Sequence, residues 1–355
     1  MNYIGSKKSL LEFLEQSIYK VVGKRDFIFL DLFAGTGVVG QHFKSKGHKI
    51  IANDLQYYSF VLNKNYIENH KILKFLGLED ELSELKSYSY KERASFICKF
   101  LDNLELTEGF IYNNYCLGGT KSKKNQRQYF SDKNGKKVDT IRKKIENWKE
   151  ESKINDNEYY FLLTTLIENI DKVANTASVY GAFLKQLKKS AQKDFVMQPA
   201  NFILNDKEHS VFNEDIEELV STVKGDVLYL DPPYNQRQYA PNYHLLETIA
   251  KYDNPKIKGK TGLRDYSNQK SKFSQKKEVL QSFENIIQKA NVKYIFLSYN
   301  NEGLMTEEEV RTIMSKRGEY GVFKKKYNRF KADKSDNRNH KASSVIEYLH
   351  YVKCE

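Results

Sequence analysis

Cysteine, proline and long apolar runs are all scarce in this chain. Its three cysteines among 355 residues, Cys98, Cys116 and Cys354, are odd in number and far apart, which excludes a disulfide frame and a cysteine-based zinc site. No stretch is long, apolar and uncharged enough for a transmembrane segment, and the early lysines lead into no apolar core of the signal-peptide kind. Together these absences predict a soluble, cytoplasmic protein with no membrane partner. The seven histidines, His42, His48, His70, His209, His244, His340 and His350, show no close pairing of the metal-site type, and no serine, histidine and acid set stands out. Neither a metal nor a hydrolytic triad is expected. Repeats and low-complexity linkers are also lacking.

What the chain does have is length and positive charge. With 355 residues, 40% of them hydrophobic, it can build one large or two ordinary domains around a sizeable core. Its 58 basic residues exceed its 46 acidic ones by 12, and the excess is concentrated. Residues 121–150 hold 11 Lys/Arg against 4 Asp/Glu, and residues 320–341 hold 8 against 2. A polyanion such as nucleic acid fits that distribution, because phosphate contacts supply most sequence-independent affinity. Lysine-rich stretches are equally compatible with solvated loops.

The most informative stretch is Gly225-Asp226-Val227-Leu228-Tyr229-Leu230-Asp231-Pro232-Pro233-Tyr234. Its apolar run reads as a buried strand, which the two prolines end because they bring no backbone donor to a central ladder. Asp231 and Tyr234 therefore stand at the carboxyl edge of a strand, where open parallel sheets bind ligands. An aspartate oxygen, a prolyl carbonyl and an aromatic ring converging there suit a planar group with an exocyclic amine. Two acceptors take its two protons, and the ring stacks on its face. Read structurally, the same residues are a strand, a rigid turn and a capping aspartate.

The N-terminal part carries a second edge of this kind. Residues 8–20 have helical apolar spacing, and Phe27 to Phe33 form a strand running into Ala34-Gly35-Thr36-Gly37, where the next helix opens. Strand, glycine turn and helix make the first crossover of a nucleotide-binding sheet, with backbone free to approach a ligand and a helix dipole behind it. The spacing is not the full dinucleotide fingerprint, so NAD is not expected. Lys49 to Asp54 read as a second strand ending in an acid, a position that commonly takes ribose hydroxyls. Capping a helix is the alternative role for Asp54.

Between residues 61 and 200 the alternation of strand and helix stops. Helical runs are expected over Ile72–Leu85, Phe96–Leu104, Ile141–Trp148 and Leu162–Val173, with a long loop over 109–136 punctuated by Gly109, Gly118, Gly119 and Gly135. That loop interleaves aromatic and basic residues, and loops of its length are usually functional. Residues 175–185 read either as a segment reaching substrate or as a loop entering a core helix. Strands return at 293–300 and 344–351.

These motifs, in this order, resemble the D12 class of adenine-N6 DNA methyltransferases related to Dam, in the arrangement of the alpha group. Tyr3-Ile4-Gly5-Ser6-Lys7 looks like the N-terminal motif of that class, Phe33-Ala34-Gly35-Thr36-Gly37 its cofactor loop, Asp54 its ribose acid and Asp231-Pro232-Pro233-Tyr234 its catalytic tetrapeptide. The resemblance implies an α/β, Rossmann-like sheet that uses S-adenosylmethionine, with a largely helical inserted target-recognition region. It divides the chain into a catalytic domain of residues 1–60 and 200–355 and a recognition region of 61–199. Expected cofactor contacts are Tyr3, Lys7, Asp31, Phe33, Ala34, Gly35, Thr36, Gly37, Asp54, Asp215 and Asp231; expected catalytic residues are Asp231, Pro232, Pro233 and Tyr234. Lys121, Lys123, Lys124, Arg127, Tyr129, Tyr180, Lys185 and Arg237 are the expected DNA contacts.

The implied activity is methyl transfer to N6 of an adenine flipped out of duplex DNA. Host protection in a restriction-modification system follows from the resemblance, with a restriction endonuclease as a functional partner that makes no stable contact. The region 61–199 departs from Dam's recognition domain and is closer to restriction-modification members of the class. Two rivals stand beside this reading: methylation of RNA or of a protein amide, and a catalytically silent nucleic-acid-binding regulator.

Overall fold

The computed structural model describes residues 5–328 and 344–355. Chain contacts divide the described residues into two compact units: a sheet unit within 5–63, 207–240 and 267–355, and a helical unit of Lys64–Asp206 and Pro241–Tyr266. The stretch Pro241–Tyr266, which the sequence reading grouped with the sheet, clusters with the helical unit.

Among the described residues nine strands are numbered in chain order: β1 (Ile28–Asp31), β2 (Lys49–Asn53), β3 (Ser210–Phe212), β4 (Val227–Leu230), β5 (Ile257–Lys258), β6 (Leu263–Arg264), β7 (Tyr294–Asn300), β8 (Gly318–Asn328) and β9 (Ser344–Cys354). Seven of them form the sheet of the first unit in the order β3-β2-β1-β4-β7-β9-β8. From β3 to β7 neighbours run parallel; β9 then pairs antiparallel with β7, and β8 with β9. This is a Rossmann-like sheet, parallel but for its last two strands.

The sequence chemistry explains the layering. All four residues of β4 are buried, as a strand covered on both faces requires. On one face Leu30, Leu228, Leu230, Ile295 and Leu297 belong to a core with Phe283, Ile286 and Ile287. Those three come from the helix Val279–Lys289, whose buried positions Val279, Ser282, Phe283, Ile286 and Ile287 recur at one-turn spacing. Elsewhere in the sheet Phe29 stacks on Phe43 at 4.3 Å. Chain order reverses between β1 and β4, so their carboxyl ends lie side by side at a switch point, where such sheets bind ligands.

The helical unit is built on Tyr90–Asp102, Asp132–Glu150 and Asp156–Lys172, the first and last opened by capping boxes at Ser89/Glu92 and Asn155/Glu158. Two expectations fail here. No long helix covers 72–85, only short 3-10 turns at Leu76–Leu78 and Ser83–Ser87: Phe75 adopts φ 49°, which breaks a right-handed helix, and its N–H donates to the Glu158 carboxylate. Nor is 109–136 one long loop, since it contains helices Phe110–Tyr115 and Leu117–Thr120 and the start of Asp132–Glu150. Glycines there allow close packing rather than marking turns. A Cβ on Gly119 would come within 2.1 Å of the Tyr112 carbonyl oxygen.

Candidate active site

β4 delivers Asp231 to the sheet's carboxyl edge one strand away from β1, with Tyr229 of β4 in register with Asp31 of β1. Lys7 meets Asp231 there. Its Nζ lies 3.1 Å from Asp231 Oδ1 and 2.7 Å from Oε1 of Glu347 on β9, with the lysine 8% exposed. Glu347 also accepts from Ser298 Oγ at 2.8 Å. Pro232 is buried, Pro233 and Tyr234 are partly so, and the Tyr234 carbonyl accepts from Leu304 N–H at 3.0 Å.

Acids outnumber cations at this edge. Burial opposes the charge of Lys7, but the carboxylates of Asp231 and Glu347 outweigh it and hold the lysine well above its ordinary pKa. Burial lifts Asp231 to about 6; Lys7 opposes the rise and Glu347 adds to it. Asp31, 1% exposed, is pushed to about 8 by burial first and by Asp231 next, and its Oδ1 is buried without a hydrogen-bond partner. An additional cation is the natural complement of such a set.

Beside it the glycine turn forms. Gly35 and Gly37 adopt φ 52° and 74°, and Gly37 N–H closes on the Ala34 carbonyl at 2.8 Å. Only glycine fits at 37, because a Cβ would stand 2.5 Å from Asn63 Oδ1. Asp54 secures the turn: Oδ2 accepts from Gly35 N–H and Oδ1 from Gln56 N–H, each at 2.8 Å. Thr36 is half-buried, and half-buried Phe33 meets Phe273 edge-on at 5.1 Å. Asp215 is exposed and caps the helix Ile216–Leu219 through Glu217 N–H at 2.8 Å.

Comparison with known proteins decides the family. The family model for D12 class N6 adenine-specific DNA methyltransferases matches residues 3–313. The chain belongs to this class. It is 51% identical to the type II methyltransferase M.NlaIII of Neisseria lactamica, over 99% of this chain and 99% of that protein. The type II methyltransferase M.CviAII of Paramecium bursaria Chlorella virus 1 is 34% identical over 100% of this chain and 99% of its own length. M.FokI of Planomicrobium okeanokoites is 40% identical over 99% of this chain, which spans 52% of that protein.

For a D12 methyltransferase the edge is chemically apt. The class and the sheet imply S-adenosylmethionine, whose sulfonium and ammonium are cationic. Asp31 with its orphaned oxygen, the excess of acids over Lys7 and the narrow glycine turn fit such a ligand. Tyr3 lies outside the described residues. No helix of the described residues is long and apolar enough to cross a membrane.

The expected DNA contacts of the D12 chain divide sharply. Lys121, Lys123, Lys124, Lys185 and Arg237 are exposed, although Lys123 Nζ is engaged by the Asn113 carbonyl at 2.6 Å and by Asn114 Oδ1 at 3.0 Å. Tyr129 and Tyr180 are not surface residues: they are 0% and 1% exposed, and the Tyr129 hydroxyl donates to the Tyr180 carbonyl. Their reading as DNA contacts is corrected to core packing. Arg127 is corrected likewise, being 6% exposed and donating to the carbonyls of Asn114, Gly259 and Lys260. It fastens the loop after Thr120 to the turn between β5 and β6, where Lys258 and Lys260 are exposed.

Many lysines of the charge runs have acidic partners. Within 132–150, Lys133, Lys136, Lys137, Lys144 and Lys149 pair with Asp194, Glu108, Asp102, Glu81 and Asp156. Part of the 320–341 run is strand β8, where Lys324 pairs with Glu307; residues 329–341 lie outside the described residues. Sequence reasoning missed Glu347 and the β5–β6 turn. A polar residue breaking the apolar β9 run was the one available signal for Glu347.

Proposed function

We propose that this chain transfers the methyl group of S-adenosylmethionine to N6 of an adenine flipped out of duplex DNA, as the modification enzyme of a restriction-modification system. The observation that carries this is Asp231-Pro232-Pro233-Tyr234 at the sheet's switch point, its aspartate held by Lys7, in a D12 chain.

Lys7, Asp31, Phe33, the Ala34–Gly37 turn, Asp54 and Asp215 are the residues that would hold the cofactor, with Tyr3 ahead of them. Bound there, it supplies an activated methyl group with its own leaving group. The protein's part is alignment, because adenine N6 is a poor nucleophile whose lone pair is delocalised into the ring. Asp231 and the Pro232 carbonyl accept the two N6 protons, which favours a pyramidal nitrogen and stabilises the positive charge developing on it. Tyr234 stacks on the base, and the pocket offsets the few kcal/mol that extrusion costs, about what unstacking one base requires. Lys121, Lys124, Lys258 and Lys260 give the helical unit exposed positive charge for the phosphate backbone, and that unit is the proposed recognition region.

Methyl-labelled cofactor incubated with duplex DNA, RNA and protein tests the reading. N6-methyladenine in the DNA digest is the expected product. Label confined to RNA or protein contradicts it.

A further inference from the structure

Glu347 stands on β9, 340 residues from Lys7 in sequence, and is 5% exposed. Its Oε1 accepts from Lys7 Nζ at 2.7 Å and from Ser298 Oγ at 2.8 Å, while the same ammonium lies 3.1 Å from Asp231 Oδ1. Lys7 needs only one carboxylate to be neutralised. A second buried carboxylate costs several kcal/mol of desolvation, of the order expected for any buried ion, so its presence calls for a reason.

The proton balance of the reaction supplies one. As the nitrogen–carbon bond forms, the sulfur–carbon bond breaks and its electron pair leaves with sulfur. The nitrogen is left positively charged with one proton too many. Asp231, which accepts from N6, is the base within reach. Were Lys7 and Asp231 alone, they would start neutral, and the arriving proton would leave a buried, uncompensated ammonium. With Glu347 the three groups start with one net negative charge, and the proton cancels it.

We propose that Glu347 is a positioning residue for methyl transfer: it holds Lys7 as an ammonium throughout, so that Asp231 can accept the proton that N6 releases. The inference rests on the adenine reading above. The Asp231 carboxyl, raised to about 6 by burial against the opposing Lys7, with Glu347 adding to the rise, is matched to taking a proton near neutrality and returning it to water. The other groups facing the trio are Tyr229 on β4, Asp31 on β1 with Asp54 behind it, and Tyr234 with Glu302 beyond it. Of all these, only Lys7 is a cation.

Glu347→Gln in the full chain tests the proposal, with kcat and KM measured on duplex DNA from pH 5 to 9. Removing the negative charge lowers the Asp231 pKa by about one unit, the usual reach of one nearby charge. The acid limb of kcat therefore moves down by about that amount, and kcat at neutral pH falls by up to about tenfold with KM for DNA unchanged. The Asp231 carboxyl resonance, followed by carbon-13 NMR without DNA, shifts its midpoint in the same direction. An even loss of kcat with limb and resonance unmoved would show that Glu347 only packs. Unchanged kcat would overturn the proposal too. A wild-type measurement guards against a variant that does not fold: the Lys7 side-chain resonance stays that of an ammonium through the Asp231 titration, and deprotonation of Lys7 in that range overturns the proposal. Wild-type enzyme that methylates no adenine brings down the adenine reading itself; wild-type methylation with an unmoved limb in the variant brings down this inference alone.

Discussion

The carboxyl edge of the sheet and the helix Asp132–Glu150 are both crowded with charge, and they use it in opposite ways. Along the helix five lysines each find an acid, three of them on segments earlier in the chain, and Arg142, 2% exposed, is held by Glu146 and the carbonyls of Ile249 and Ala250. At the sheet edge Asp231 and Glu347 share a single Lys7, and both Asp231 and the neighbouring Asp31 have raised pKa values. Balanced charge there is structure. Unbalanced buried charge costs stability and is kept where a ligand or a reaction completes it.

Three tests sharpen that contrast. Arg127→Ala removes donors from three carbonyls and should lower stability by about 3 kcal/mol, the scale for losing charged hydrogen bonds at a buried site. Thermal unfolding checks this; a stable variant with weakened DNA binding would return Arg127 to the DNA surface. Asp31→Asn has a pH-dependent effect. A carboxyl raised to about 8 in the fold and lower when unfolded destabilises the protein progressively as pH rises from about 4 through 8. The asparagine variant should therefore lose that decline, so that its melting temperature gains on the wild type from pH 5 to pH 9. Equal melting shifts at pH 5 and pH 9 would contradict it. Smallest is the pair Lys121→Ala and Lys124→Ala, each expected to reduce the salt slope of DNA binding by about 1, whereas Lys149→Ala leaves the slope unchanged because Lys149 is paired with Asp156.

The same contrast shows what the sequence could convey. The glycine turn, the strand ends and the tetrapeptide are local patterns, and each landed on the carboxyl edge. Their meaning is carried by neighbours along the chain: prolines end a strand wherever it sits, and a left-handed turn at 37 selects glycine. The role of a lysine depends on its spatial partner, which chain order hides. Lys144 and Glu81 are far apart in sequence and 2.5 Å apart in space. The partner of Glu347, Lys7, is hidden for the same reason, 340 residues away in sequence. Tyr129, Arg127 and Tyr180 had the composition of a nucleic-acid loop, yet the short helices at 110–120 gave them a core to enter. Gly118, Gly119 and Gly135 resemble loop punctuation until the contacts they permit are seen.

Sequencing that reports modified adenines in context, on unmethylated genomic DNA treated with cofactor and either wild-type protein or Asp231→Ala, addresses the central claim most directly. N6-methyladenine at one short motif from the wild type, reduced about a thousandfold or more in a variant that still binds DNA, is the expected result, on the scale of losing a group essential to proton transfer. Near-normal methylation by Asp231→Ala would contradict the account.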